Sequence, residues 1–296
     1  MKKKNKHVRS FWGNLARPFV TCWEKTKTLF PKLTDVFAKI PTKMKALGVH
    51  RCLLILIGIV VCISFFNIGK EIYNYWQSEK LYDEVQNMYA SKDDVLLEWG
   101  VSLPDVDFES LVAQNDDIIA WIYISNTNIS FPVLKGKTNK QYLFQSYKKK
   151  YLTAGSIYID YRCRRSFSDK NTVIYGHNMH DGNMFGKLKK YADQDYMEKH
   201  QYIYIMRANG NINRYEIFAY FRASIEGEVY NLPLQKDGSE DQFNALKYEI
   251  NTNNTYTGYA AEEEDTNYIT LSTCTQDSRN DVRVCVIARL IGTIRS

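Results

Sequence analysis

The 296-residue sequence contains no C-x-x-C pair, no His-x-x-x-His and no glycine-rich phosphate loop. It therefore carries no recognisable zinc framework and no nucleotide cradle. Cysteine is scarce: of six in the chain, only Cys163, Cys274 and Cys285 lie beyond residue 70, an odd and unclustered set. A disulfide-stapled fold is not expected from it. Six prolines and fifteen glycines exclude collagen-like and Pro/Gly-rich disordered chains, and there is no internal repeat. The acidic run Glu262-Glu263-Glu264-Asp265 reads as a solvated face, so no metal and no cofactor are expected. What is present, 45% hydrophobic and 24% charged residues, is ordinary for a folded protein.

The net charge of +6 is unevenly placed. Residues 1–51 hold thirteen Lys/Arg against two acids, which leaves 26 basic and 31 acidic residues in the remainder. A net-acidic body argues against nucleic-acid binding. The two regimes meet at Cys52–Gly69, eighteen uncharged residues bracketed by Arg51 and Lys70. At about 1.5 Å per residue such a helix spans roughly 27 Å, close to the ~30 Å hydrocarbon core, with snorkelling by the flanking cations closing the gap. No small-x-small cleavage site follows it, while Tyr73, Tyr75 and Trp76 form an interfacial aromatic anchor. The segment is therefore read as an uncleaved transmembrane anchor at 52–69. Lys39, Lys43, Lys45 and Arg51 precede it, so residues 1–51 form a basic cytoplasmic segment and residues 70–296 are expected outside a cell membrane crossed once.

Residues 70–103 read as a helical extracellular linker, because Ile72, Trp76, Leu81, Val85 and Met88 recur at near-helical spacing. From Pro104 to the C-terminus the texture changes to short β-branched and aromatic segments. Eight strands are predicted, at 118–124, 128–134, 156–161, 172–175, 202–207, 213–223, 268–273 and 282–291. A closed or nearly closed β-barrel is the economical arrangement, and the fold class is mainly β. Helical interruptions are expected at 184–192 and 239–251, the second N-capped by Ser239.

The chemistry concentrates at strand ends. Tyr268–Thr273 delivers Cys274, and Arg283 opens the next strand. If those strands pair antiparallel, the two residues meet across the ladder. Upstream, Thr172–Tyr175 ends in a turn carrying His177. A thiolate attacks carbonyls, an imidazole shuttles its proton, and a guanidinium that stays charged suits a developing oxyanion. Taken singly each residue has a duller reading: a buried small hydrophobe, a surface histidine, a solvated arginine. Cys285 shares strand parity with Arg283 and is read as packing.

The combination resembles a known family. Thr270-Leu271-Ser272-Thr273-Cys274 with Arg283, preceded by Tyr175-Gly176-His177-Asn178-Met179 and Asp181-Gly182-Asn183-Met184-Phe185, is similar to the sortases, specifically class B, over residues 75–293. Extra N-terminal helices and a helix-containing insertion before the cysteine strand mark that class, and residues 75–116 and 232–266 match both. The resemblance implies an eight-stranded sortase barrel in a membrane-anchored cysteine transpeptidase of Gram-positive bacteria. Such an enzyme cleaves a C-terminal sorting signal of exported proteins and passes the acyl group to an amine of peptidoglycan or of a pilin. Carried over residue by residue, it implies Cys274 as nucleophile, His177 as general acid/base, Arg283 as oxyanion- or substrate-binding arginine, and Ser272 and Thr273 along the peptide groove. His180 and Arg279 are the runners-up for imidazole and guanidinium. An acidic partner for His177 is missing, Asp277 being a weak candidate. A hydrolytic cysteine peptidase and a non-catalytic extracellular peptide-binding barrel stay open beside the transpeptidase. With unperturbed pKa values, roughly 3% of thiols are ionised and roughly 24% of imidazoles protonated at pH 7, so either the environment shifts them or a minor fraction does the work.

Overall fold

The computed structural model describes residues 49–296 apart from 97–98, 232–239, 266, 275–280 and 296. The expectations for residues 1–48, Ser239, Asp277 and Arg279 lie outside the described residues. The chain divides into two compact units, one ending at Lys70 and a second, Glu71–Ser296.

Helix α1 (Val49–Tyr89) carries the apolar run, with Leu53, Leu54, Phe65 and Phe66 among its exposed side chains. By length and composition it is long enough and apolar enough to cross a membrane. The expected helical linker over 70–103 needs correction. The helix stops at Tyr89, and strands β1 (Ala90–Leu96) and β2 (Ser102–Val106) follow as an antiparallel pair with Leu96 opposite Ser102. From Ala90 onward the backbone pairs with β2 instead of continuing the helical ladder, with Ala90 opposite Val106. Nor is the 71–103 stretch a linker. Tyr82 and Val85 are buried, Tyr82 donates to the Gly155 carbonyl and packs edge-on to Phe131, and Gln86 donates to the Ser130 carbonyl at 2.9 Å. The near-helical spacing of Leu81, Val85 and Met88 is thus in part the pattern of a helix docked on the strands of its own unit.

After helix α2 (Phe108–Gln114), capped by the Asp107 carboxylate on the Ser110 N–H, come β3 (Ile118–Ile124), β4 (Ser130–Leu134), β5 (Ile157–Ile159) and β6 (Asn171–Tyr175). A 3-10 turn (Gly186–Ala192) and helix α3 (Gln194–Lys199) lead to β7 (Tyr202–Arg207) and β8 (Ile212–Ser224). A short turn (Glu228–Tyr230) and helix α4 (Glu240–Asn253) precede β9 (Tyr268–Cys274) and β10 (Val282–Ile294). The eight strands β3–β10 close into a barrel in the order β10-β8-β7-β3-β4-β5-β6-β9. All eight fall where the β-branched and aromatic content predicted them. The helix expected at 184–192 is instead a 3-10 turn beginning at Gly186, because Met184 sits at φ +52°, outside helical space.

The continuous apolar run of β3, Ile-Ile-Ala-Trp-Ile-Tyr-Ile, is buried on both faces of its strand except at Tyr123. Trp121, fully buried, satisfies its indole N–H on Ser130 Oγ at 3.0 Å. Two junctions in the ring are parallel: β4 with β5 and β6 with β9. Parallel neighbours need long connections, and these two place distant stretches of sequence side by side.

Candidate active site

The β6–β9 junction holds five consecutive pairs, from Asn171 opposite Tyr268 to Tyr175 opposite Ser272. Contact continues past the ladder: the Gly176 N–H donates to the Ser272 carbonyl at 3.2 Å, and Thr273 Oγ1 donates to the Gly176 carbonyl at 2.7 Å. Parallel chains advance together, so two residues beyond the last pair His177 and Cys274 stand at the same level. Asn178 Nδ2 then donates to the Cys274 carbonyl at 2.7 Å and fixes the strand end. Glycine leaves room for two side chains at 176. A Cβ there would meet Ile157 Cδ1 at 2.5 Å and the Phe185 ring at 2.7 Å.

On the other side of β9, Cys274 pairs directly with Arg283 in the antiparallel ladder of β10. This is the juxtaposition expected from the sequence. Arg283 Nη1 donates to the Val282 carbonyl at 3.1 Å. His177, Cys274, Arg283, Ser272 and Thr273 all line one cleft of about 440 Å³. His180 is exposed and is not among its walls. Of the three cysteines in the second unit, Cys274 alone is exposed. Burial pushes the Cys163 and Cys285 thiols up to about 12, which leaves both protonated and inert at neutral pH.

The imidazole of His177 is held by the main chain. Its Nε2 lies 2.7 Å from the Leu143 carbonyl oxygen. A carbonyl only accepts, so Nε2 carries the proton and Nδ1 is the nitrogen that gains and loses one. The ring also leans on Phe144, 5.5 Å between centroids at 38°. Burial lowers the imidazole pKa, an effect the Leu143 hydrogen bond partly opposes. The acceptor that holds Nε2 is thus a backbone carbonyl.

Several cleft residues were not singled out from the sequence. Tyr158, Tyr175, Tyr230 and Arg162 share its lining. Beneath them Asp160, fully buried, takes a bidentate pair from Arg162 at 2.9 and 3.0 Å, the Tyr175 hydroxyl at 3.0 Å and Asn139 Nδ2 at 2.8 Å. Burial alone would raise this carboxyl; Arg162 and Asn139 outweigh it and hold it below the usual range. The spacing Asp160-Tyr161-Arg162 after a strand was the available signal. Tyr230 had none, since it reaches the cleft from an irregular turn. Its hydroxyl lies 2.7 Å from Ser272 Oγ and 3.3 Å from Cys285 Sγ, and its ring stacks on Tyr175 at 9°. The Ser272 and Thr273 hydroxyls therefore already have partners, the Tyr230 hydroxyl and the Gly176 carbonyl. Among the described residues no three His, Cys, Asp or Glu side chains converge as metal ligands would.

Comparison with known proteins agrees with this arrangement. The sortase domain model matches residues 122–291. Sortase B of Listeria monocytogenes is 30% identical over 250 residues, 84% of this chain and 99% of that protein. Sortase B of Staphylococcus aureus is 27% identical over 81% of this chain and 92% of its own length. Among solved structures, a sortase B from Bacillus anthracis superposes with a TM-score of 0.61 at 29% identity, covering 74% of this chain and 99% of that one. A Streptococcus pyogenes class B sortase involved in pilus biogenesis gives 0.55 at 28% identity, covering 63% and 98%. The chain belongs to the sortase family, and within it to class B. Its general activity is that of a cysteine transpeptidase.

Proposed function

We propose that this protein is a membrane-anchored transpeptidase that cleaves a sorting signal through a thioester on Cys274 and transfers the acyl group to an amine of peptidoglycan or of a pilin. The observation that carries this reading is the direct pairing of Cys274 with Arg283, with His177 at the same level on the adjoining parallel strand. In the first half-reaction the Cys274 thiolate adds to the scissile carbonyl and Arg283 stabilises the resulting oxyanion. Protonated His177 gives its proton to the leaving amine as the C–N bond breaks, which leaves an acyl thioester. In the second half-reaction the acceptor amine adds to the thioester, His177 takes the amine's proton, the C–S bond breaks and an amide forms. The lowered imidazole pKa makes protonated His177 a minority at neutral pH, which favours reaction through a minor, correctly protonated fraction.

Helix α1 supplies the anchor in this reading. Its apolar part would span the bilayer, with the basic residues 1–51 on the cytoplasmic side and the barrel outside. The test is cleavage of a library of fluorogenic five-residue peptides by the full chain in detergent micelles, with and without a triglycine acceptor. Peptide ligated to triglycine, formed by the parent and absent with Cys274→Ala, is the expected result. Hydrolysis alone with any acceptor would assign a peptidase instead, and equal cleavage by Cys274→Ala would overturn the assignment of the nucleophile.

A further inference from the structure

The insertion between β8 and β9 contains α4, whose Phe243, Leu246 and Ile250 are buried. One polar side chain of this helix turns toward the cleft wall. Glu249 Oε2 accepts the Val229 N–H at 2.9 Å, within the Glu228–Tyr230 turn. The carbonyl side of the same residue is held as well: Asn171 Nδ2 donates to the Val229 carbonyl at 3.0 Å, and Asn171 Oδ1 in turn accepts from Thr270 Oγ1 at 2.9 Å. Asn171, Thr270 and Val229 are fully buried. A Cβ on Gly227 would stand 2.4 Å from Glu249 Oε1, so the glycine at the head of the turn leaves the room the carboxylate occupies. Immediately after Val229 comes Tyr230, whose hydroxyl reaches Ser272, the residue two before Cys274, and lies against the buried Cys285 thiol at 3.3 Å.

A three-residue turn has little conformational preference of its own, and Tyr230 has two side-chain torsions with which to leave the wall. The pair of side-chain clamps on Val229 fixes the backbone of the turn from which Tyr230 stacks on Tyr175. We propose that Glu249 is a positioning residue for the peptide cleft: by accepting the Val229 N–H it holds the Glu228–Tyr230 turn so that the Tyr230 hydroxyl stays on Ser272, and through this contact the helical insertion governs how tightly a sorting peptide is bound. The role in peptide binding rests on the transpeptidase reading; the clamp itself does not. Because Glu249 touches neither nucleophile nor imidazole, its loss acts on peptide binding more than on the chemical step.

Two readouts on the full chain in micelles separate those levels. The first is iodoacetamide alkylation of Cys285 followed by peptide mass spectrometry, with the buried Cys163 as internal reference. Glu249→Ala frees Tyr230 and raises the Cys285 labelling rate about tenfold or more while Cys163 is unchanged, and Glu249→Gln, whose amide oxygen still accepts the N–H, keeps the parent's protection. Equal protection of Cys285 in Glu249→Ala and parent, or parallel exposure of both cysteines, overturns the clamp. This readout needs no substrate, so it stands even if no library peptide is cleaved.

The second readout is the KM and kcat of the library peptide that the parent cleaves best. Glu249→Ala raises KM roughly tenfold with kcat within about twofold, and Glu249→Gln restores it. If Glu249 acts through Tyr230, the Glu249→Ala/Tyr230→Phe double variant binds no worse than the weaker single variant, because the same contact cannot be lost twice. Additive losses, or an unchanged KM in Glu249→Ala whose Cys285 is exposed, overturn the positioning role.

Discussion

The barrel closes through two parallel junctions, and they contribute to the site in different ways. At β6–β9 five register pairs run into the turn at Gly176, and the junction delivers side chains: His177 from one strand, Cys274 from the other. At β4–β5 only two pairs form, Val133 with Ile157 and Leu134 with Tyr158, and the long connection between the strands delivers a backbone atom, the Leu143 carbonyl that holds the imidazole. One junction presents the proposed reactive groups and the other orients one of them. A side chain's chemistry is written in residue identity, whereas any residue has a carbonyl. The residues that the first junction brings together were therefore readable in the sequence, whereas its parallel pairing and the carbonyl supplied at the second were not.

Substitutions can break the two junctions separately. The largest effects fall on the reactive groups. Cys274→Ala, which removes the proposed nucleophile, is expected to abolish transpeptidation to within assay background, a loss of at least about 10³-fold in kcat read by product chromatography. Arg283→Ala, which removes a charge opposite Cys274 in the ladder, lowers kcat/KM by about 10²–10³-fold, and Arg283→Lys recovers only part, because a lysine cannot present two parallel N–H donors.

Smaller effects come from the two glycines that shape the junctions. A Cβ at Gly155 would stand 2.3 Å from the Leu143 carbonyl oxygen, and the residue sits at φ +58°. Gly155→Ala thus combines a backbone clash with left-handed strain, costs about 3 kcal/mol or more in stability, and displaces the acceptor of His177. Gly176→Ala meets the tip of Ile157 and the Phe185 ring, which yield more easily, at about 1–3 kcal/mol. Chemical denaturation of the two variants should rank them in that order. The reverse order would show that the β4–β5 side is the softer of the two.

The smallest effect is in the pH profile. Burial lowers the His177 pKa, so the folded protein disfavours the imidazolium. The sign follows: a histidine whose folded pKa lies below its unfolded value of about 6.5 costs stability as pH falls through that range, and the acidic limb of kcat/KM, where it reports His177, lies below about 6.5. The stopped-time initial rate from pH 4.5 to 9 measures it. A limb well above 6.5 would mean that an anionic partner, not burial, dominates the imidazole's surroundings.

How far the sequence could be read follows the same division. Strand positions were legible because β-branched and aromatic runs with turn residues between them are dense in the second unit, and the antiparallel meeting of Cys274 and Arg283 followed from one short loop. The hairpin of β1 and β2 was not legible, since the helical spacing of Leu81, Val85 and Met88 masks the stop at Tyr89. The Asp160 network and Tyr230 were missed for another reason. Asn139, Asp160, Tyr175 and Tyr230 are far apart in the chain and meet only because the barrel closes. Glu249 reads from the sequence as one more exposed acid of a helix, and only the turn it holds distinguishes it.

The central claim is that Cys274 carries the acyl group while His177 and Arg283 serve it. Intact-mass spectrometry of the full chain, quenched in acid during turnover of a cleaved peptide, tests it most directly. The expected result is a mass increase equal to the N-terminal peptide fragment, located by digestion on Cys274, discharged by triglycine and absent in Cys274→Ala. An adduct on any other residue, or sustained turnover by Cys274→Ala, would contradict it.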